Sequence, residues 1–280
     1  MKDQAKEIAK KSKSSFYYAF NLLPEKQRDA MNTVYAFCRQ TDDIVDEGNE
    51  PEELRYEKLH KWRIELEKGF QGRSEFNLLN KLTKIIRQFN IPIEPFFELI
   101  KGVEMDLQSK RFDSFEDLVQ YCYMVASTVG LMCIEIFGYK NKSTRDYAIN
   151  LGLAMQLTNI IRDVKTDYDN GRIYLPQEDM RRFDYSENDL KTNTYNRNFI
   201  SLMNHEADHA EIYFQKANHS LDFDDKTSMF AARAMQHIYY KLLKKLRYKE
   251  FNIFEDNISV SKFEKTAIAF GVWAKYSLVY

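Results

Sequence analysis

Apolar side chains recur every three or four positions along most of this chain, the spacing of helices that bury one face. Pro24 and Glu25 open the first clear segment, which runs to about Glu47 and is stopped by Gly48, Asn49 and Pro51. Periodic segments follow over 52–70, 76–89 and 94–109. Ser114-Phe-Glu-Asp117 has the spacing of a capping box, with Asp in place of the usual Glu, and opens a long apolar helix to about Phe137. Another helix is expected from Thr144 to about Asp167, and three more over 195–220, 226–250 and 260–277. Tyr168–Asn193 breaks the pattern: it is rich in Asp, Asn, Arg and Tyr, carries Gly171 and Pro176, and has no sustained period. A weakly structured stretch of that length in a helical domain predicts a functional lid. There is no repeat of solenoid period and no convincing linker, so one all-α domain over residues 1–280 is expected.

Composition supports this. Only nine glycines and five prolines punctuate 280 residues, too few for the turns of an all-β protein. Lys and Arg total 41 against 42 Asp and Glu, and this near-neutral balance argues against a nucleic-acid partner. Cys38, Cys122 and Cys133 form no C-x-x-C pair and read as buried thiols in a reducing cytosol. The first residues are charged and lack the apolar core of a signal peptide, and no uninterrupted apolar run reaches the ~18 residues that span a bilayer. A cytoplasmic location is therefore expected.

Two acidic clusters carry the candidate chemistry. Asp42, Asp43 and Asp46 close the first helix, with Asp42 and Asp46 on one face. A helix C-terminus disfavours each carboxylate by ~0.3–1 kcal/mol, and the three repel one another besides. A bound divalent cation would relieve both effects, since hard oxygen ligands suit Mg²⁺; a solvated acidic helix end is the plain alternative. In Leu151–Val164 and the Lys165-Thr-Asp167 that follows, Gln156, Asn159, Asp163 and Asp167 form one polar stripe. The two amides lie among Leu, Met and Ile, where an unpartnered one costs ~1–3 kcal/mol. Asp163 and Asp167 repeat the D-x-x-x-D spacing. Facing each other, the two pairs would hold Mg²⁺ and a diphosphate, and Arg39, Arg162 and Arg172 supply cations in or near them.

Four segments, SSFYYAF (14–20), YAFCRQTDDIVDE (35–47), YCYMVASTVG (121–130) and QLTNIIRDVKTDYDNGRIYLP (156–176), resemble the squalene/phytoene synthase family. In wording they look most like its bacterial presqualene-diphosphate and hopanoid-pathway members, beside the dehydrosqualene and phytoene synthases. The resemblance implies a single-domain isoprenoid-synthase helical bundle with a central apolar cavity. It implies a Mg²⁺-dependent prenyltransferase that joins two prenyl diphosphates head to head through a cyclopropylcarbinyl diphosphate. Carried over by motif, Asp42, Asp46, Asp163 and Asp167 would hold metal, with Asn159 close by. Ser15, Arg39, Tyr121, Gln156, Arg162, Arg172 and Tyr174 would contact diphosphates or reacting carbons. Lys13 stands where many members have Ser. Val125, Ala126, Val129, Gly130 and Leu153 would line the cavity, and Met124 and Ser127, at positions often occupied by Gly, would narrow it. Phe20 would cap it and favour C15 farnesyl diphosphate over C20 geranylgeranyl diphosphate. Lys262 or Lys265 would meet the second diphosphate. NADPH use stays open, because members that use it lack a Gly-rich fingerprint. A peripheral contact with the inner membrane would suit so apolar a product; oligomeric state is not legible.

Rival readings remain. His205-Glu-Ala-Asp-His209 spells the H-E-x-x-H of zinc hydrolases. Ile212 and Gln215 stand where the extended signature needs Gly and His, so an exposed helix face is expected instead. Chain-elongating prenyltransferases and terpene cyclases also use acidic helices and Mg²⁺ but account less well for 156–176. A non-enzymatic helical scaffold would leave the buried amides and paired aspartates without a purpose.

Overall fold

The computed structural model describes residues 19–46, 50–108 and 111–278. Among them the architecture is helical throughout. The helices are α1 (Glu25–Asp46), α2 (Glu52–Gly69), α3 (Asn77–Phe89), α4 (Glu94–Leu107), α5 (Phe115–Phe137), α6 (Ser143–Asp169), α7 (Gln177–Arg182), α8 (Glu187–Lys191), α9 (Arg197–Ser220), α10 (Phe230–Tyr248) and α11 (Lys262–Leu278). The long segments fall where hydrophobic periodicity places them, with ends displaced by a few residues. Ser114 accepts from Asp117 N and the Asp117 carboxylate accepts in return from Ser114 N, so the capping box that opens α5 is formed.

α5 is the central helix. It is long and apolar enough, by length and composition, to cross a membrane, although Glu116, Asp117 and Glu135 interrupt its apolar run. In this fold α5 is wedged between α4 and α6, and that packing is what its apolar surface serves. Tyr123–Ser127 forms a π-helical turn within it, a device that re-aims side chains at the cost of weaker local hydrogen bonding. The turn lies against α6 at Gly152, where a Cβ would come within 2.6 Å of the Ser127 Cα. Ser127 Oγ donates to the Ile149 carbonyl at 2.8 Å and ties the crossing. Met124 packs on Gly102 of α4. Neither Met124 nor Ser127 reaches the central cavity, so they do not narrow it; the π turn points them into the helix contacts instead.

The segment 168–193 is more ordered than its composition predicts. It holds α7 and α8, the latter opened by a second capping box in which Ser186 and Asp189 exchange hydrogen bonds. Its start is pinned to the α4–α5 connection, since Gln177 N donates to the Phe112 carbonyl at 2.9 Å and Glu178 N to that of Asp113 at 3.1 Å. Helices this short bury too little surface to show a period, which is why the sequence reads as loop. Cys38, Cys122 and Cys133 are free and buried, as expected.

Candidate active site

An ion pair from the turn after α6 links the acidic ends of α1 and α6. Arg172 Nη1 donates to Asp46 Oδ1 at 2.7 Å. The turn after α6 aims that arginine: Gly171 sits at φ +79°, a left-handed conformation in which only glycine is unstrained. Arg172 N then donates back to the Asp167 carbonyl at 2.8 Å. Arg162 grips Asp163 through both carboxylate oxygens, Nε lying 2.7 Å from Oδ1. Arg39 pairs with Asp43 at 2.6 Å, one helical turn along α1.

The electrostatics of the cleft are those of crowded carboxylates. Burial, then the charge of Asp46, pushes Asp42 up to about 7. Burial, then Asp163, pushes Asp167 up to about 7. Asp106, near the C-terminus of α4, stands within electrostatic reach of Asp42, Asp46, Asp167 and Arg172 and so lies between the two clusters. Its Oδ1 accepts from Tyr174 OH at 2.8 Å and its Oδ2 from Tyr121 OH at 2.9 Å.

Beside the cleft opens a cavity of about 280 Å³. Arg39, Asp42, Gln156 and Asn159 line it together with Val125, Ala126, Val129, Gly130 and Phe20. The polar members sit toward the acidic ends of α1 and α6. Phe20 precedes α1, and Phe137 and Tyr147 belong to the far ends of α5 and α6, so the cavity changes from polar to apolar along its length. Leu153 is buried but faces away from the cavity, whose α6 wall is Leu151 and Gly152. Asp167, Arg172 and Tyr174 border a small crevice alongside, and Tyr121 is buried under the cleft without lining the cavity.

A model of the squalene/phytoene synthase family matches residues 9–264. The chain belongs to this family. It is 32% identical over 275 residues to a 15-cis-phytoene synthase of Synechococcus elongatus, covering 94% of this chain and 89% of that one. It superposes on a dehydrosqualene synthase crystal structure with a TM-score of 0.84, at 31% identity, over 99% of this chain and 96% of the other. Squalene synthase HpnC from Alicyclobacillus acidocaldarius gives a TM-score of 0.77 at 25% identity, over 89% and 95%. The fold is thus the isoprenoid-synthase helical fold.

For a squalene/phytoene synthase family member, the remaining residues fall out as follows. Asn159 Nδ2 lies 3.4 Å from Gln156 Oε1, while Asn159 Oδ1 is buried with no partner. That orphaned carbonyl oxygen, with the aspartates of both helices, is an oxygen donor set that fits a hard divalent cation. Among the described residues no three His, Cys, Asp or Glu side chains form a group that would hold an ion unaided. Burial, then the charge of Arg162, lowers the pKa of Lys265, so that of the candidates Lys262 and Lys265 it is Lys265 that stands within electrostatic reach of the cleft arginine. Ser15 and Lys13 lie outside the described residues.

The H-E-x-x-H face is not exposed. Glu206 is 2% accessible, His205 Nε2 lies 3.1 Å from Asp179 Oδ1, and the ring of Phe115 covers His209 with centroids 3.8 Å apart. Asp208, pointing away, pairs with Arg247. The motif is a packed polar contact between α9, α7 and the start of α5. Asp106 is a residue that pattern reading missed. Its signal was present: it is an acid in the last turn of a helix with no basic residue there, the same local conflict that marks Asp42 and Asp46.

Proposed function

We propose that this protein joins two prenyl diphosphates head to head through a cyclopropylcarbinyl diphosphate, with farnesyl diphosphate as the favoured substrate and presqualene diphosphate, squalene or dehydrosqualene as product. The observation that carries the reading is the Arg172–Asp46 contact: it brings two carboxylate-bearing helix ends together at the polar end of an apolar cavity. Asp42 and Asp46 on α1 and Asp163, Asp167 and Asn159 on α6 would hold the metal, with diphosphate oxygens completing its coordination. Magnesium bound there supplies Lewis-acid neutralisation of charge on the departing diphosphate. Arg39, Arg162, Arg172 and Lys265 bind and orient the anionic groups. The walls formed by Val125, Ala126, Val129 and Gly130 carry no nucleophile and keep water from the allylic cation left after C–O cleavage. The double bond of the second substrate attacks that cation, and the released diphosphate takes up the proton whose loss closes the cyclopropane.

Cavity length favours C15. The α1 wall from Met31 to Asp42 is about 16 Å long at 1.5 Å per residue. An extended chain gains ~1.2 Å per bond, so a farnesyl group of twelve main-chain carbons spans about 14 Å and a geranylgeranyl group of sixteen about 19 Å. Phe20, 4% accessible, occupies the far end. A second reading, condensation of two geranylgeranyl diphosphates, is favoured by the name of the Synechococcus relative, a 15-cis-phytoene synthase. Mass spectrometry of products from each substrate, with and without Mg²⁺ and NADPH, decides between them. C30 product and diphosphate release that stops on chelation are expected; preference for the C20 substrate overturns the chain-length assignment. Phe20→Ala is expected to raise turnover of the longer substrate relative to the shorter by about tenfold or more.

A further inference from the structure

Asp106 is out of place in an anion-binding cleft. It is a largely buried carboxylate set between two acidic clusters, where burial raises its pKa and where a diphosphate would be repelled by it. What it visibly does is organise two phenols. Tyr174 OH points to Oδ1 at 2.8 Å, and Tyr121 OH to Oδ2 at 2.9 Å. A phenol has one proton to donate. Tyr121 OH also lies 3.3 Å from Tyr174 OH, but the shorter contact to a charged acceptor takes the proton. Both phenol protons are therefore committed to one carboxylate, and each phenol oxygen is left with lone pairs only.

The rings hold this arrangement in place. Tyr121 and Tyr174 stack with centroids 5.2 Å apart, and Phe112 packs on both at 5.3 and 6.1 Å. Phe112 is itself anchored by Gln177 N on its carbonyl. Neither hydroxyl can swing away without breaking a three-ring stack that spans the α4–α5 connection, α5 and the strap after α6.

On the reading that the cleft binds Mg²⁺ and diphosphate, we propose that Asp106 is a positioning residue: it makes Tyr121 and Tyr174 acceptor-only, so that they serve the positive species of the reaction and not the diphosphates. Motif carry-over leaves two roles open for them, contact with diphosphates or with reacting carbons, and this selects the second. The two phenol oxygens and the carboxylate beneath them form an electron-rich floor between the metal-holding helix ends. Arg39, Arg162, Arg172 and Lys265 remain to meet the anions.

The test separates anion binding from turnover in the full-length protein. Inorganic diphosphate is titrated by calorimetry at saturating Mg²⁺ into wild type, Asp106→Asn, Tyr121→Phe and Tyr174→Phe, and kcat and KM are measured with the prenyl diphosphate that wild type consumes. The expected result is affinity for inorganic diphosphate within roughly threefold of wild type in all three variants. Asp106→Asn should lower kcat about 50-fold or more with KM nearly unchanged, and without a lower melting temperature. The double variant Asp106→Asn/Tyr174→Phe should fall no more than roughly threefold further, because the two groups act as a unit. A loss of about tenfold in diphosphate affinity in either Phe variant overturns the proposal, since the phenols then donate to the anion. A folded Asp106→Asn with kcat near wild type also overturns it. The Phe variants keep the test decisive if Asp106→Asn fails to fold. Wild type that binds no inorganic diphosphate overturns the cleft assignment itself, a failure seen before any variant is compared.

Discussion

Asp42 and Asp167 are held above the ordinary carboxylate range by burial and by their neighbours Asp46 and Asp163, each reaching about 7 from an ordinary 3.8. The native state therefore binds more protons than the unfolded chain between these values, and stability falls as pH rises through that window. Without ligand the protein is expected to lose about 2 kcal/mol between pH 6 and pH 8. Asp42→Asn should flatten that profile and raise the melting temperature at pH 8 while lowering activity. Chemical denaturation across pH checks both; stability that rises from pH 6 to 8 in the ligand-free protein would refute the carboxylate crowding. Asp225 shows the opposite sign. The Lys140 and Asn141 amides and the Thr144 hydroxyl donate to it, and these hold its pKa low despite burial. Its contribution is present at neutral pH and lost as pH falls through the acid range.

At the scale of the helix, two glycines have different work. Gly152 lets α6 meet the π turn of α5, and an added methyl group would meet Ser127 backbone atoms at 2.6 and 2.7 Å. Backbone cannot give way as a side chain can, so Gly152→Ala is expected to destabilise by about 3 kcal/mol. Gly171 has open space around its α-carbon but a φ of +79°. Gly171→Ala should therefore cost only about 1–2 kcal/mol. It should cost more in turnover, because the turn that returns Arg172 to Asp46 loses its geometry. Urea denaturation and steady-state kinetics on the two variants distinguish the cases: Gly152→Ala is dominated by lost stability, Gly171→Ala by lost activity in a folded protein. An inactive Gly152→Ala of full stability would mean that the α5–α6 crossing has more room than its contacts indicate.

Across the whole molecule, the bridge between α1 and α6 makes ligand binding a stabilising event. An ion and a diphosphate that bind the joined helix ends, and not the unfolded chain, add about 2.7 kcal/mol at a hundred times their dissociation constant. For a chain of this size that corresponds to a rise in melting temperature of roughly 5 °C or more. Mg²⁺ and inorganic diphosphate together are expected to produce this shift, and either alone much less, because among the described residues no group of protein ligands holds an ion unaided. A thermal melt with each component and with both is the measurement. A full shift from Mg²⁺ alone would show a protein-only metal site.

Local chemistry determined a good deal of this protein. The helices could be read because a long amphipathic element repeats its signal over several turns: α1, α5 and α6 span 22, 23 and 27 residues. The aspartates could be read because four-residue spacing places two carboxylates on one face whatever the fold. The short helices α7 and α8 could not, since six and five residues complete too few turns to show a period. Tertiary structure alone decided which side of α5 faces the cavity, because the π turn shifts its register and turns Met124 and Ser127 into packing contacts. It alone buried the H-E-x-x-H face under Phe115 and placed Asp106, distant in sequence from Tyr121 and Tyr174, beneath both hydroxyls. Such convergence depends on where three separate segments meet in space, and no periodicity within one segment carries that information.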